Sequence, residues 1–258
     1  MLKAEKISYS IGAKKIVQDI STFFLPGEFN MILGPNGSGK STFLKIFSGD
    51  LSNYRGTISY GGKNLSTIKK EELAKYRAVM SQQPELGFPL MVEEVVMMGR
   101  YPHFTFNPRK KDEDICNEVI QRMNLAALKE RNYLTLSGGE KQRVQYARVL
   151  AQIWEETKDS CRYLFLDEPL NSLDINYQQE FLQLAREFAN KNTVLVAVMH
   201  DINLAVQFAD KLIFLKEGQL AAAGKPAEIL TASLIKDIFE VNSNIINNPI
   251  TNKPLVVY

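Results

Sequence analysis

Residues 29–41 read Phe29-Asn30-Met31-Ile32-Leu33-Gly34-Pro35-Asn36-Gly37-Ser38-Gly39-Lys40-Ser41, and this stretch decides the fold. The run before the glycines is apolar enough for a buried strand. The loop after it must bend tightly, and a loop that aims successive backbone N–H groups inward has no room for Cβ atoms. Gly34, Gly37 and Gly39 remove that obstruction. Residues 41–47, Ser-Thr-Phe-Leu-Lys-Ile-Phe, then read as a helix whose N-terminus faces an anion. Strand, loop and helix together make a phosphate cradle. Lys40 brings a cation to the β- and γ-phosphates, and Ser41 offers a hydroxyl to Mg²⁺.

Working outward, residues 2–33 read as strands with a turn at 12–15, and a second strand pair follows the first helix at 56–60 around Gly61-Gly62. Three apolar strands come later, at 162–166, 193–199 and 212–215, with helical segments around 175–190 and 202–209 between them. Strands that alternate with helices predict a parallel sheet covered on both faces. Residues 90–155 are mainly helical by periodicity, broken by irregular pieces at 88–89 and 101–108. The expected organisation is α/β: one core that starts, is interrupted by a helical insertion, and resumes. The tail from about Asn242, rich in Asn and Pro, reads as a surface excursion.

The carboxylates come next. Tyr163-Leu164-Phe165-Leu166-Asp167-Glu168 is an apolar run that ends in two acids, and Pro169 stops it. Adjacent acids repel unless a cation or a proton relay accounts for them. Asp167 is therefore the candidate metal ligand and Glu168 the candidate general base for an attacking water. His200 follows the strand at 193–199, at the same sheet edge as Asp167 and Gly34, within reach of a γ-phosphate. His103, the other histidine, lacks such support and reads as a surface or docking residue. Gln82, after a strand at 78–81, can bond metal or water. Tyr9 can stack on an adenine ring.

Leu136-Ser137-Gly138-Gly139-Glu140 opens another helix. Ser137 is a good N-cap, and two glycines leave N–H groups open at a helix start, which predicts a second anion site.

Bulk properties narrow the class. The chain has 258 residues, with 31 Lys+Arg against 29 Asp+Glu and a net charge of +2. A balance so near zero gives no global attraction to nucleic acid or to a membrane surface. Cys116 and Cys161 have no metal-ligand spacing, and reduced thiols in a cytoplasmic setting are expected. The N-terminus lacks the apolar core of a signal peptide. No run approaches the roughly 20 residues that span a bilayer. A role at a membrane would need docking on another chain.

Together these residues resemble the ATP-binding cassette ATPases over essentially the full chain. The family's motifs occur in its order: GPNGSGKS as Walker A, AVMSQQ as the Q-loop, LSGGEKQRVQYARVL as the signature, YLFLDEP as Walker B, NSLD as the D-loop and MHD as the switch. Leu170 departs from the pattern, standing where many members have Thr. The stretch from Phe88-Pro89 to Tyr101-Pro102-His103 is similar to importers of iron chelates, haem and cobalamin. Residues 148–154, RVLAQIW, are similar to haemin-importer ATPase subunits in particular.

The resemblance implies a P-loop NTPase (RecA-like) core with an antiparallel β subdomain, about 1–85 and 156–258, and an inserted helical subdomain, about 86–155, in a single domain. It implies ATP and Mg²⁺ as ligands, with Tyr9 on the adenine. Gly34, Asn36, Gly37, Ser38, Gly39, Lys40, Ser41 and Thr42 grip phosphates and metal. Gln82 and Asp167 complete the metal shell, and Glu168, His200 and Gln82 serve the chemistry. Ser137, Gly138 and Gly139 come from the partner copy of a head-to-tail homodimer, with Asp174 coupling the two sites. It further implies two membrane permease subunits seated near residues 84–106, a substrate-binding protein reached indirectly, a place on the cytoplasmic face of the cell membrane, and no nucleic-acid partner. Ferric siderophore or cobalamin remain alternative cargoes to haem, and a soluble non-transport ATPase of the same group is the alternative of a different class.

Overall fold

The computed structural model describes residues 1–81, 86–156, 161–171, 173–190 and 192–258. Gln82 and Gln83 therefore lie outside the described residues.

A six-stranded sheet carries the molecule. Its order is Gln219–Gly224, Lys211–Lys216, Phe29–Leu33, Thr193–Val198, Arg162–Asp167, Arg77–Met80. The strands from Lys211–Lys216 onward are parallel to their neighbours, and Gln219–Gly224 returns antiparallel at one edge. That edge strand was not apparent in the sequence, where its Ala-rich residues lack the β-branched signal of the others. Glu217 and Gly218, both at positive φ, make the turn that creates it.

The period of two explains the sheet's two faces. Met31, Leu33, Leu164, Leu166, Leu195 and Ala197 join a core cluster with the helices. The alternate residues Ile32, Tyr163, Phe165, Val194, Val196 and Val198 join a second cluster with the helix Lys40–Ser48 and the antiparallel sheet. Strands buried on both faces have no polar side to show, which is why 162–167 and 193–198 read as continuous apolar runs.

The antiparallel sheet is built from Leu2–Ile11, Lys14–Phe24, Arg55–Tyr60 and Lys63–Asn64. It approaches the glycine loop closely. A Cβ on Gly39 would lie 2.6 Å from the Ile16 carbonyl oxygen, and one on Gly218 would lie 2.4 Å from the same atom. Gln18 N–H also donates to the Gly218 oxygen at 2.7 Å.

The helical group comprises Val92–Met97, Lys110–Arg122 and Gly138–Gln152, with a 3-10 turn at Met98–His103. Its segments are tied by Arg100, which is 1% exposed. Arg100 donates to Asp112 at 2.9 Å, to the Ala151 carbonyl at 2.8 Å and to Glu155 at 2.5 Å. A buried guanidinium needs that many acceptors to offset desolvation. His103, expected as a surface or docking residue, is not fully at the surface. It is half-buried, its Nε2 lies 2.7 Å from the Gln152 oxygen, and burial pulls its pKa down. Its place after Pro102 turns it inward, against the end of the signature helix.

The tail also departs from expectation. Asn244–Asn247 and Pro254–Val257 pair as an antiparallel hairpin that packs on the helix Ile202–Phe208. Asn203 donates to the Val256 oxygen at 3.0 Å and accepts from its N–H at 2.8 Å, so one side chain mimics a neighbouring strand. Val256 is 3% exposed. Cys116 and Cys161 are both free, as expected, and burial pushes the Cys116 thiol up to about 12.

Candidate functional site

Register places the candidate residues on one line. Val198 stands opposite Ile32 on one side and Asp167 on the other. Gly34 and Glu168 come one residue beyond their strand ends, and His200 comes two residues beyond Val198. Ligands of open α/β sheets sit outside the carboxyl ends of the strands, at this edge.

The cradle has the backbone that an anion needs. Gly37 and Gly39 take positive φ values of 79° and 97°, and a Cβ on Gly34 would lie 2.2 Å from the Leu215 carbonyl oxygen. The helix Lys40–Ser48 starts without a side-chain cap and without an acid in its first turn. Asp174, Asp201 and Thr231 cap their own helices through side-chain oxygens. The N–H groups at Lys40–Ser48 are left for a ligand with negative charge. Asn36 and Gly37 are exposed at the crest of the loop, while Ser38 is buried and its Oγ has no hydrogen-bond partner among the described residues. Thr42 follows Ser41 in the first turn and is half-buried.

Lys40 is 5% exposed, and its ammonium donates to the Gly34 oxygen at 2.9 Å and to the Pro35 oxygen at 3.0 Å. Burial pulls its pKa down, and the charges of Glu168 and Asp167 oppose that. A cation held, among the described residues, by two loop carbonyls is poised to exchange them for phosphate oxygens.

Ser41 Oγ donates to Asp167 Oδ1 at 2.9 Å. Burial and the neighbouring Glu168 raise the pKa of Asp167, and the Ser41 bond works against them. A buried carboxylate beside a hydroxyl, disfavoured in its charged form, fits a hard divalent cation, which takes oxygen donors of this kind. Among the described residues, no cluster of three or more His, Cys, Asp or Glu forms a protein-only metal cage. A cation shared between few protein oxygens and a phosphate is the arrangement Mg²⁺ favours.

Glu168 adopts φ 51°, unusual for a residue with a side chain. Its Oε1 lies 2.6 Å from His200 Nε2, and its Oε2 accepts from Asn171 at 2.9 Å. Backbone strain at such a position is retained where surrounding contacts fix it. Here they aim a carboxylate past the strand end, beside an imidazole that is partly exposed. The pair can hold and move a proton.

Tyr9 pairs across the sheet with Val17, next to the Ile16 carbonyl that abuts Gly39. It is partly buried against the second core cluster. The structure therefore brings Tyr9 to the margin of the cradle with its ring partly committed to packing.

Ser137, Gly138 and Gly139 stand apart. Ser137 Oγ accepts from Glu140 N–H at 3.3 Å, and Glu140 Oε2 accepts from Ser137 N–H at 2.8 Å, a reciprocal cap. No hydrogen bond or ion pair among the described residues joins 137–139 to the cradle of the same chain. Asp174 is exposed and caps the helix Ile175–Phe188, accepting from Tyr177 N–H at 3.0 Å.

Between the two acids and the signature helix lies a cavity of about 690 Å³, lined in part by Met80, Tyr133, Gln145, Asp167 and Pro169. Sequence reasoning missed Gln142, which is 7% exposed on that helix and donates through Nε2 to the Pro169 carbonyl. Nothing local marks it, because its partner is a backbone atom far along the chain.

Comparison with known proteins agrees with this geometry. The family model described as ABC transporter matches residues 17–171, more than half of the chain. Curated relatives named Hemin import ATP-binding protein HmuV include one from Gloeobacter violaceus, 44% identical over 100% of this chain and 94% of its own length. Another, from Escherichia coli O157:H7, is 40% identical over 100% of this chain and 99% of its own length. Among solved structures, an inward-facing chain described as of the metal-chelate ABC transporter type superposes with TM-score 0.82 at 24% identity, covering 100% of this chain and 97% of that one. A dimeric bacterial ABC transporter cassette superposes with TM-score 0.72 at 26% identity, covering 87% and 98%. The P-loop cradle, the acid pair at the sheet edge and these matches lead to one conclusion: the chain belongs to the ABC transporter family, as an ATP-binding, ATP-hydrolysing cassette on the P-loop NTPase fold.

Proposed function

We propose that this chain is the motor subunit of a bacterial importer whose cargo is haem. The observation that carries the cargo is the full-length identity of 38–44% to four relatives that all bear the hemin import name. The motor works as a homodimer on the cytoplasmic face of the membrane. Two permease subunits carry the cargo path, and a substrate-binding protein delivers to them. No helix among the described residues is long and apolar enough to cross a membrane, so contact with the permease is by docking. Tyr101 and Phe106, 58% and 91% exposed, lie by a groove edged by Glu93, Glu94 and Glu113 and support docking on the helical group.

Each residue then has a task. Lys40 and the N–H groups of 37–42 bind the β- and γ-phosphates, with Gly34, Asn36 and Ser38 shaping the loop. Tyr9 packs on the adenine. Ser41, Asp167 and Gln82 hold Mg²⁺, which when bound neutralises charge on the triphosphate. Glu168 accepts the proton of the attacking water, and His200, hydrogen-bonded to it, keeps base and γ-phosphate aligned. Ser137, Gly138 and Gly139 of one copy close over the nucleotide of the other, and Asp174 couples the sites. ATP favours closure because it contacts both halves only there.

The test is uptake by the complex reconstituted with its permease in vesicles. ATP-dependent accumulation of hemin, with ferric siderophore and cobalamin excluded, is the expected result. Uptake of either competitor in its place overturns the cargo. Glu168→Gln should keep ATP binding, favour the dimer and lose about 10²-fold or more of turnover. Normal hydrolysis by that variant would remove Glu168 as the base.

A further inference from the structure

Two halves of the proposed site sit on different parts of the fold. Glu168 lies at the sheet edge, and the lid residues Ser137–Gly139 lie on the helix Gly138–Gln152. A cavity of about 690 Å³ opens between them, lined by Lys141, Gln142 and Gln145 of the helix and by Asp167, Glu168 and Pro169 of the strand end. Within one chain, Gln142 crosses this gap. Its Nε2 donates to the Pro169 carbonyl, which belongs to the residue directly after Glu168. A carbonyl only accepts, so the amide orientation is fixed by chemistry and not by choice. The cost is visible: Gln142 Oε1 is buried and has no hydrogen-bond partner among the described residues. An apolar side chain of the same size would avoid that cost but would lose the donor to Pro169. A second contact runs beside it. Gly139 has room for no more than a close approach to Leu173, whose Cδ2 would lie 3.4 Å from an added Cβ. Leu173 is buried and precedes Asp174.

We propose that Gln142 is a positioning residue that ties the lid helix to the backbone of Glu168, so that lid movement and alignment of the base are one motion. This rests on the reading of Glu168 as base and 137–139 as lid. Glu168 holds a positive φ, and the carbonyl immediately after it is anchored to a helix that must move when the lid closes. Tension on Pro169 therefore reaches the carboxylate through two backbone torsions. The coupling is internal to one copy: the lid that covers the partner's nucleotide reports to the base that serves its own.

The test uses the full chain in the assembled transporter, with Gln142→Met, which keeps length and removes the donor. The expected result is a kcat lower by about tenfold, with KM for ATP and binding of ATP by the isolated chain within twofold of wild type. Gln142→Asn keeps an amide but falls short by one methylene, and should show the same split. It carries the test if the Met variant does not fold. Unchanged kcat in a folded variant overturns the proposal. So does an equal loss of kcat and ATP affinity in both variants, which is what general disruption would give. Wild-type transporter without ATP turnover would instead overturn the functional reading beneath it.

Discussion

At the scale of single residues, Asp167 shows how a buried carboxylate taxes its own fold. Burial first and Glu168 second raise its pKa, so the folded chain holds that proton more tightly than the unfolded chain does. The stabilising effect is full below the ordinary carboxylate pKa of 3.8 and is lost as pH rises through the raised value. Asp167→Asn removes that loss while its side-chain oxygen can still accept from Ser41. In nucleotide-free protein its Tm should match or exceed wild type at neutral pH and vary less with pH above ~4, as followed by circular dichroism. Turnover should fall by about 10²-fold or more. A variant less stable than wild type at pH 7 would contradict the electrostatic argument. Residue identity alone pointed to Lys40, Ser41, Asp167 and Glu168 as candidates, because a glycine loop and paired acids at a strand end have few other uses. Gln142 was invisible because its partner, the Pro169 carbonyl, is a backbone atom that any residue there would supply.

At the scale of elements, the signature helix was legible at its start and obscure at its end. Ser137 reads as a cap, and the reciprocal bonds with Glu140 bear that out. The Glu140 carboxyl is held below its usual range by those bonds to Ser137. At the other end, Gln152 donates to the Ala74 and Arg77 carbonyls at 2.7 and 2.9 Å, and nothing in 148–154 announces that tie to the sheet edge. Ser137→Arg places a large cation at the helix start, where the dipole is also positive. Loss of the cap alone costs about 1 kcal/mol. ATPase activity of the dimer should vanish, while equilibrium binding of ATP to the isolated chain persists. Loss of binding in the monomer would show that 137–139 serve the nucleotide of their own chain.

At the scale of the molecule, the parallel core could be read from alternating strands and helices, since each run is long and periodic. The C-terminal hairpin could not. Its strands are short, Asn-rich and weakly patterned, and the contact between Asn203 and Val256 that docks them joins residues far apart in the chain. Removal of 244–258 exposes the helix Ile202–Phe208 and forfeits the burial of Val256, worth roughly 2 kcal/mol. The truncated chain should melt at a lower temperature and bind ATP as before, because none of those contacts reaches the cradle. Weakened binding would show that the hairpin supports the nucleotide site through His200.

The approach of Ile16 to Gly39 and Gly218 has a mechanical consequence. With carbonyl oxygen set directly on glycine backbone, no methyl group could slip between the antiparallel sheet and the phosphate loop. The antiparallel sheet and the glycine loop thus meet backbone against backbone. A side chain added at either glycine would have to prise that contact open before any ligand arrived.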